Sequence, residues 1–260
     1  MLNRRMFLAL SGMAGAASLA SSRAAAAEGG SPREYYELRS YDVETESQRD
    51  GLVLFFGEMA IPAMNRLGLK PVGVFLPAEE LSPVYVLIPH ASMESAVSLT
   101  QKILTDEQFV PAGAGVINAP ATSPAYKRLQ NSLLLEFTGM PRLETPAKGP
   151  DRVFQLRIYE SPSVKAGQKK IEMFNTAEID IFRKVGLNPV FFGETLFGAK
   201  MPNLTYMLGF HNAEAQKAAW KAFGADPDWL KLRAIPEYAD KEIISGVTNI
   251  VLKPAAGSQI

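Results

Sequence analysis

The stretch Tyr36-Glu37-Leu38-Arg39-Ser40-Tyr41 occurs a second time, with the same alternation, as Phe154-Gln155-Leu156-Arg157-Ile158-Tyr159. The two copies lie at an offset of 118 residues. At the same offset, Leu67-Gly68-Leu69-Lys70-Pro71-Val72 matches Val185-Gly186-Leu187-Asn188-Pro189-Val190. The offset then slips to 121, where Tyr85-Val86-Leu87 and His90 match Tyr206-Met207-Leu208 and His211. Self-similarity in the same order along the chain indicates one structural unit used twice in tandem.

Each unit is predicted to contain strand, helix, strand, strand, helix and strand, the order of a ferredoxin-like βαββαβ fold of the α+β class. The first strand alternates with period two, and apolar residues at three- and four-residue spacing follow in a helix that stops at Gly68 or Gly186. The first unit spans residues 33–138 and the second spans residues 151–254. Between them, residues 139–150 are rich in proline and glycine and are predicted to form a linker.

Both units open with Leu-Arg-x-Tyr, continue through Gly-Leu-x-Pro-Val and end the third strand near a histidine. This pattern resembles the NIPSNAP family. The resemblance implies the dimeric α+β barrel arrangement, in which two ferredoxin-like sheets close into one barrel, either within one chain or between two. NIPSNAP proteins are associated with protein interaction. More distant barrel relatives include cofactor-free and haem-degrading monooxygenases and chlorite dismutases, so an enzyme remains an alternative.

Six side chains on the polar faces of the two first strands are the candidate ligand-binding residues: Glu37, Arg39, Tyr41, Gln155, Arg157 and Tyr159. If the opposite, apolar faces pack on helices, this set faces the barrel interior. Guanidinium and phenol groups there would suit an anionic or enolic small ligand. The alternative is that the arginines pair with carboxylates and hold the two units in register.

The two histidines, His90 and His211, are predicted to occupy equivalent third-strand ends. They are candidates for a general base or a haem ligand. A structural role, with each histidine hydrogen-bonded to the following helix, explains their recurrence equally well. Trp220, Phe223 and Trp229 lie near the second helix of the second unit, where aromatic residues commonly fill a core or an interface.

Composition excludes several classes of site. The chain has no cysteine and two histidines, which excludes disulfides and thiolate sites and leaves no basis for predicting a metal centre. No cofactor is predicted, with haem as the alternative. Removing the arginines of the N-terminal segment changes the 27 basic and 27 acidic residues to 24 and 27. A slightly acidic mature chain does not favour a nucleic-acid partner.

Residues 1–27 have the layout of a secretory signal: a basic start, an apolar run and an Ala-x-Ala site ending near Ala27. Arg4-Arg5-Met6-Phe7-Leu8 resembles the twin-arginine motif, although Asn3 and Ala9 depart from it and leave the general secretory route open. We therefore expect a periplasmic or secreted protein without a membrane span in the mature chain. The functional hypothesis is a homo-oligomeric module that binds a small ligand or a protein; the alternative is a monooxygenase-type or haem-handling enzyme.

Overall fold

The computed structural model describes residues 33–260, and the predicted signal segment lies outside this range. Eight strands alternate with helices in the order predicted for two βαββαβ units. The strands are β1 (Tyr35–Asp42), β2 (Gly73–Pro77), β3 (Val84–His90), β4 (Arg128–Glu136), β5 (Val153–Glu160), β6 (Asn188–Phe197), β7 (Asn203–Phe210) and β8 (Gly246–Pro254).

Helices follow the first and third strands of each half. The α-helices are α1 (Glu46–Leu54), α2 (Ile61–Arg66), α3 (Met93–Ile103), α4 (Phe109–Ala112), α5 (Ala114–Ile117), α6 (Val164–Met173), α7 (Ile179–Lys184), α8 (Ala213–Ala225), α9 (Pro227–Arg233) and α10 (Asp240–Ile243). A 3₁₀ turn covers Pro236–Tyr238. Within residues 33–260, no helix is long and apolar enough to cross a membrane.

The eight strands form one closed antiparallel barrel in the order β1-β3-β2-β8-β5-β7-β6-β4. Each half contributes four neighbouring strands, and the pairs β2–β8 and β4–β6 join the halves. The predicted fold class, two ferredoxin-like units in a dimeric α+β barrel arrangement, is confirmed. The barrel closes within one chain, so its closure does not require a second copy.

Local sequence explains where the principal helices begin and end. Thr45, Ser92, Ser163 and Asn212 each accept a hydrogen bond from a first-turn backbone N–H, at the starts of α1, α3, α6 and α8. The first helix of each half stops at a glycine with positive φ, 82° at Gly68 and 83° at Gly186, as the sequence predicts. A one-turn π-helical segment interrupts both helices, at Phe55–Ala60 and Phe174–Glu178.

Three hydrophobic layers hold the barrel together. Inside the barrel lie residues from both halves, including Tyr36, Leu38, Phe154, Leu156 and Phe191. Outside it, each half packs its helices on its own four strands and forms a separate core. The segment predicted as a linker runs over one end of the barrel, where Ala147 packs into the inner layer. Ile260 is buried in the same layer.

Candidate functional site

The polar faces of the two first strands point outward, toward the helices. Tyr36 and Leu38 of β1, with Phe154 and Leu156 of β5, fill the barrel interior. Tyr41 lies instead in the helix–sheet core of the first half. The expectation that Glu37, Arg39, Tyr41, Gln155, Arg157 and Tyr159 face the barrel interior is therefore wrong. One face of such a strand is covered by the barrel interior and the other by helices. Alternation of side chains along the strand therefore distinguishes the two faces but does not indicate which of them points into the barrel.

In the first half, Glu37 is the centre of a buried polar network. Its carboxylate accepts hydrogen bonds from Arg39 Nε at 2.8 Å and from Asn131 Nδ2. His90 Nε2 lies 3.1 Å from Glu37 Oε2 and donates to it, because an ionised carboxylate can only accept. The other ring nitrogen of His90 contacts Ser95 Oγ at 3.0 Å. The Arg39 guanidinium also contacts the Tyr41 hydroxyl at 3.5 Å.

The Glu37 carboxyl stays ionised although its side chain is almost entirely buried. Burial raises the pKa of Glu37, but the hydrogen bond from His90 and the charge and hydrogen bond of Arg39 outweigh it and lower the pKa to about 2. The charge of Arg39 is thus compensated inside the protein. In this half the arginine does pair with a carboxylate, but Glu37 lies on the same strand, so this pair does not hold the two units in register.

In the second half, glutamine replaces the central carboxylate. Gln155 Oε1 accepts hydrogen bonds from Trp220 Nε1 and from Gln216 Nε2, and Gln155 Nε2 donates to Asn249 Oδ1 at 2.6 Å. Asn249 occupies on β8 the position that Asn131 occupies on β4, because each lies opposite the arginine of the neighbouring first strand. The strand pairing around the arginine is the same in both halves, but the residue two positions before it is a charged glutamate in the first half and a neutral glutamine in the second.

Arg157 lies between two aromatic rings, with its guanidinium carbon 5.3 Å from the centroid of Tyr159 and 4.8 Å from that of Trp220. Its Nε is buried and has no hydrogen-bond partner within residues 33–260. Unlike Arg39, it forms no ion pair with any carboxylate of that range. A buried donor without a partner costs about 1–3 kcal/mol. Arg157 Nε is therefore a buried donor of this layer that residues 33–260 leave unsatisfied.

A second buried charge pair lies beneath the same sheet. Lys170 Nζ donates to Glu178 Oε2 at 3.0 Å, and both side chains are almost fully buried. The ammonium also lies 4.0 Å from Asp240 and faces the rings of Tyr159, Phe174 and Trp229. Burial raises the pKa of Glu178, and the charge of Lys170 opposes that rise. Lys170 is therefore compensated, whereas Arg157 has no carboxylate within ion-pair distance among residues 33–260.

The two histidines are not equivalent. His90 lies opposite Tyr35, whereas Val153, the counterpart of Tyr35, lies opposite Phe210. The correct offset at this strand is 120, so the alignment of His90 with His211 is wrong by one residue. An odd slip in a strand moves every side chain to the opposite face. His211 is exposed on the turn after β7, where its ring contacts the Lys148 carbonyl.

The histidines do not fit the haem alternative. Both ring nitrogens of His90 are engaged, by Ser95 and Glu37, and its side chain is fully buried. His211 is exposed. Within the described residues, no group of three or more histidine, cysteine, aspartate or glutamate side chains is placed to hold a metal ion. We therefore assign neither histidine to a cofactor.

Several residues of this layer were not identified from the sequence. Asn131 and Asn249 follow the 118-residue offset and could have been found from it. Lys170 and Glu178 have no counterparts of the same type in the first half, where Leu52 and Ala60 stand at that offset, so the repeat gave no signal for them. Trp220 packs against the core, as predicted, and its ring also lies close to Arg157, which the sequence did not indicate. Phe223 and Trp229 do lie in the core.

The arrangement of the second half, from β5 through β8, can be compared with known proteins. Residues 154–259 match the NIPSNAP family. The resemblance predicted from the sequence is confirmed for this NIPSNAP-matching half, which contains Gln155, Arg157 and Tyr159. For residues 33–138 the resemblance stays a prediction. No curated protein sequence matches the chain.

Similar solved structures cover the whole barrel or one half of it. A protein from Lactobacillus acidophilus NCFM proposed to be a monooxygenase is 8% identical, with a TM-score of 0.58 over 86% of this chain and 94% of its own. A protein proposed to be a chlorite dismutase, TA0507, is 11% identical, with a TM-score of 0.51 over 87% and 97%. A NIPSNAP-like domain protein from Burkholderia xenovorans is 17% identical, with a TM-score of 0.39 over 43% and 92%. The first two share the barrel fold with this chain.

Proposed function

We propose that this protein binds a small carboxylate-bearing molecule in the helix–sheet layer of its NIPSNAP-matching half, with Arg157 as the residue that holds the carboxylate. One observation carries the proposal. The two halves place an arginine at the same position of their first strand, but within residues 33–260 Arg39 has a carboxylate partner and Arg157 has none. A ligand carboxylate would accept a hydrogen bond from Arg157 and pair with its positive charge, as the Glu37 carboxylate does for Arg39.

The surroundings of Arg157 favour a ligand that meets the edge of the guanidinium. The rings of Tyr159 and Trp220 lie close to its guanidinium carbon and occupy part of its surroundings, so a ligand must approach from the remaining sides. Two parallel N–H···O bonds to a planar carboxylate use such an edge well. Arg157 as a whole is partly exposed, although its Nε is buried, so a ligand can approach the side chain from solvent.

The neighbouring strand indicates that the ligand has an apolar body. Arg157 lies opposite Asn249 of β8, and Val247 and Val251 flank Asn249 on the same face. These valines are 51% and 37% exposed, so helices leave this strip of the sheet uncovered. An apolar group attached to the carboxylate would cover it and gain about 25 cal/mol for each Å² removed from water. The proposed ligand class is therefore an amphipathic small acid.

Fluorescence titration tests the proposal, because Trp220 touches Arg157. The chain has two tryptophans, so a Trp229→Phe background isolates the Trp220 signal. We expect saturable quenching or enhancement by sodium benzoate, weaker binding of acetate, and loss of the benzoate response in Arg157→Gln. Arg128→Gln removes one exposed positive charge and is the matched control. Equal benzoate binding by Arg157→Gln and Arg128→Gln would reject the site.

We propose that the ligand is bound outside the cytoplasm, because residues 1–27 have the layout of a secretory signal. In this proposal the protein is a binding module. Turnover of the bound acid would favour the monooxygenase-type alternative, so products are analysed in the same titrations. The uncovered β8 strip could also be covered by a second copy, and homo-oligomerisation is part of the proposal.

A further inference from the structure

A cavity of about 410 Å³ lies inside one end of the barrel, where β1 ends and β7 begins. It lies on the opposite side of the sheet from Arg157 and is separate from the site proposed above. Its walls come from both halves of the chain, including Ser40 and Tyr85 from the first and Thr205 and Thr248 from the second. The volume is within the usual range for small-molecule pockets.

The cavity exists because the barrel is packed unevenly along its axis. Eight-stranded barrels usually have an interior that side chains fill. Here the middle is filled by large residues such as Tyr36, Phe154 and Phe191, and the far end by Ala147 and Ile260. At the open end, four inward positions carry small hydroxyl residues: Ser40, Ser132, Thr205 and Thr248. The cavity remains because these small side chains, which come from several strands, do not fill the barrel interior at this end.

The lining combines an apolar floor with many uncharged hydrogen-bonding groups. Leu38, Ile158 and Ile250 form the floor. Hydroxyl and amide groups surround it on opposite walls; they belong to Ser40, Tyr85, Gln130, Ser132, Thr205 and Thr248. Burial raises the pKa of Tyr85 to about 12, so its hydroxyl keeps its proton and can donate. Such a set offers donors and acceptors in several directions at once.

The charges at the rim do not favour an anion. Asp42 lies on one wall, while on the other Lys200 donates to Thr248 Oγ1 at 2.9 Å and lies 3.5 Å from Glu160. Arg128 is the cross-strand neighbour of Asp42, so two carboxylates and two cations lie at this end. The rim therefore offers an anion no excess positive charge, in contrast to the site at Arg157.

The turn that carries Lys200 is held in a strained conformation at this rim. Lys200 has a φ of 60°, a left-handed conformation that costs roughly 1–2 kcal/mol for a residue other than glycine. Buried Asn203 fixes the turn by donating to the Ala199 and Lys200 carbonyls at 3.0 Å, and it accepts from Thr195 Oγ1 at 2.6 Å. Strain that the surroundings impose in this way is common at ligand sites.

We propose that this end of the barrel binds a small neutral polyhydroxylated molecule of monosaccharide size. Its hydroxyls would pair with the hydroxyl and amide groups of both walls, and its less polar face would lie on the floor formed by Leu38, Ile158 and Ile250. Tyr85 supplies an aromatic edge beside Ser40, its cross-strand neighbour. The site is independent of the carboxylate site, and either can fail without the other.

Isothermal titration calorimetry on the purified protein tests the inference, with D-glucose and myo-inositol as neutral probes and choline chloride and sodium phosphate as charged ones. Thr248→Leu fills the cavity, and Thr248→Val removes the hydroxyl while nearly preserving shape. Thr100→Leu makes the same threonine-to-leucine substitution at an exposed position of α3, away from the cavity, and is the matched control. Circular dichroism and thermal unfolding establish that each variant keeps the fold.

We expect saturable binding of at least one neutral probe. Its affinity should fall at least about tenfold in Thr248→Leu, fall less in Thr248→Val, and remain unchanged in Thr100→Leu and Arg157→Gln. Absence of saturable binding by both neutral probes would overturn the inference. So would equal affinity in Thr248→Leu and wild type, or preferential binding of choline or phosphate.

Discussion

Replacing Glu37 with glutamine removes the charge on which Arg39, His90 and Asn131 converge. The folded protein lowers the pKa of this carboxyl from 4.5 to about 2, so it favours the ionised form. The unfolded chain therefore binds more protons than the folded chain between these two values. The stability from Glu37 is complete above pH 4.5 and is lost as the pH falls toward 2.

The pKa difference sets the size of the effect. Each unit of difference corresponds to about 1.4 kcal/mol, so Glu37 contributes about 3 kcal/mol to the free energy of unfolding at neutral pH. About 2 kcal/mol of this is lost by about pH 3, where the unfolded carboxyl is mostly protonated and the folded one is still mostly ionised. Glu37→Gln should lack this part of the pH dependence.

Urea denaturation at about pH 6 and about pH 3 measures the effect, with Glu58→Gln on an exposed helical position as the control. Wild type and Glu58→Gln should each lose about 2 kcal/mol more than Glu37→Gln between these pH values. At neutral pH, Glu37→Gln should be less stable than wild type by about 3 kcal/mol. Parallel pH profiles for Glu37→Gln and wild type would show that the carboxylate network does not carry the stability assigned to it.

Three further predictions concern the rest of the molecule. Lys170→Met should destabilise the fold by about 3–5 kcal/mol, because it leaves buried Glu178 without its cation; adding Glu178→Leu should recover most of the loss in thermal unfolding. An equal or larger loss in the double variant would contradict this reading. Arg4→Lys with Arg5→Lys should block recovery of processed protein from the periplasm if the twin-arginine route is used, and unchanged export would assign the protein to the general secretory route. Sedimentation equilibrium should give a mass above that of one chain; a monomer at all concentrations would remove oligomerisation from the proposal.

The element order and the barrel were predictable because they depend on features that the sequence displays twice. Alternation in the first strands and the helix stops at Gly68 and Gly186 lie where the repeat predicts them. A helix stop requires only a residue that tolerates positive φ, and a strand requires only a local alternation. These are local properties, so a duplicated sequence shows them reliably.

The placement of the polar set was not predictable for two physical reasons. The first strands are shielded on both faces, by the barrel interior and by helices, so the polarity of a face did not reveal its direction. Strand register depends on loop lengths between elements, and a slip of one residue paired His90 with His211 in place of Phe210. Arg39 pairs with Glu37, whereas the equivalent residue beside Arg157 is Gln155, and this difference is visible in the sequence; the contacts with Asn131 and Trp220 involve residues far away in sequence and were not visible in it.

The most direct test of the carboxylate site is to give Arg157 the internal partner that Arg39 already has. Gln155→Glu places a carboxylate at the position that Glu37 occupies in the first half, and Asn249 can turn its amide to donate to it, as Asn131 does to Glu37. Benzoate titration of Gln155→Glu, followed by Trp220 fluorescence in the Trp229→Phe background, should show a fall in affinity of at least about tenfold while the fold is kept. Benzoate affinity equal to that of the unsubstituted site would contradict the claim that Arg157 holds an anion because the chain leaves it unpaired.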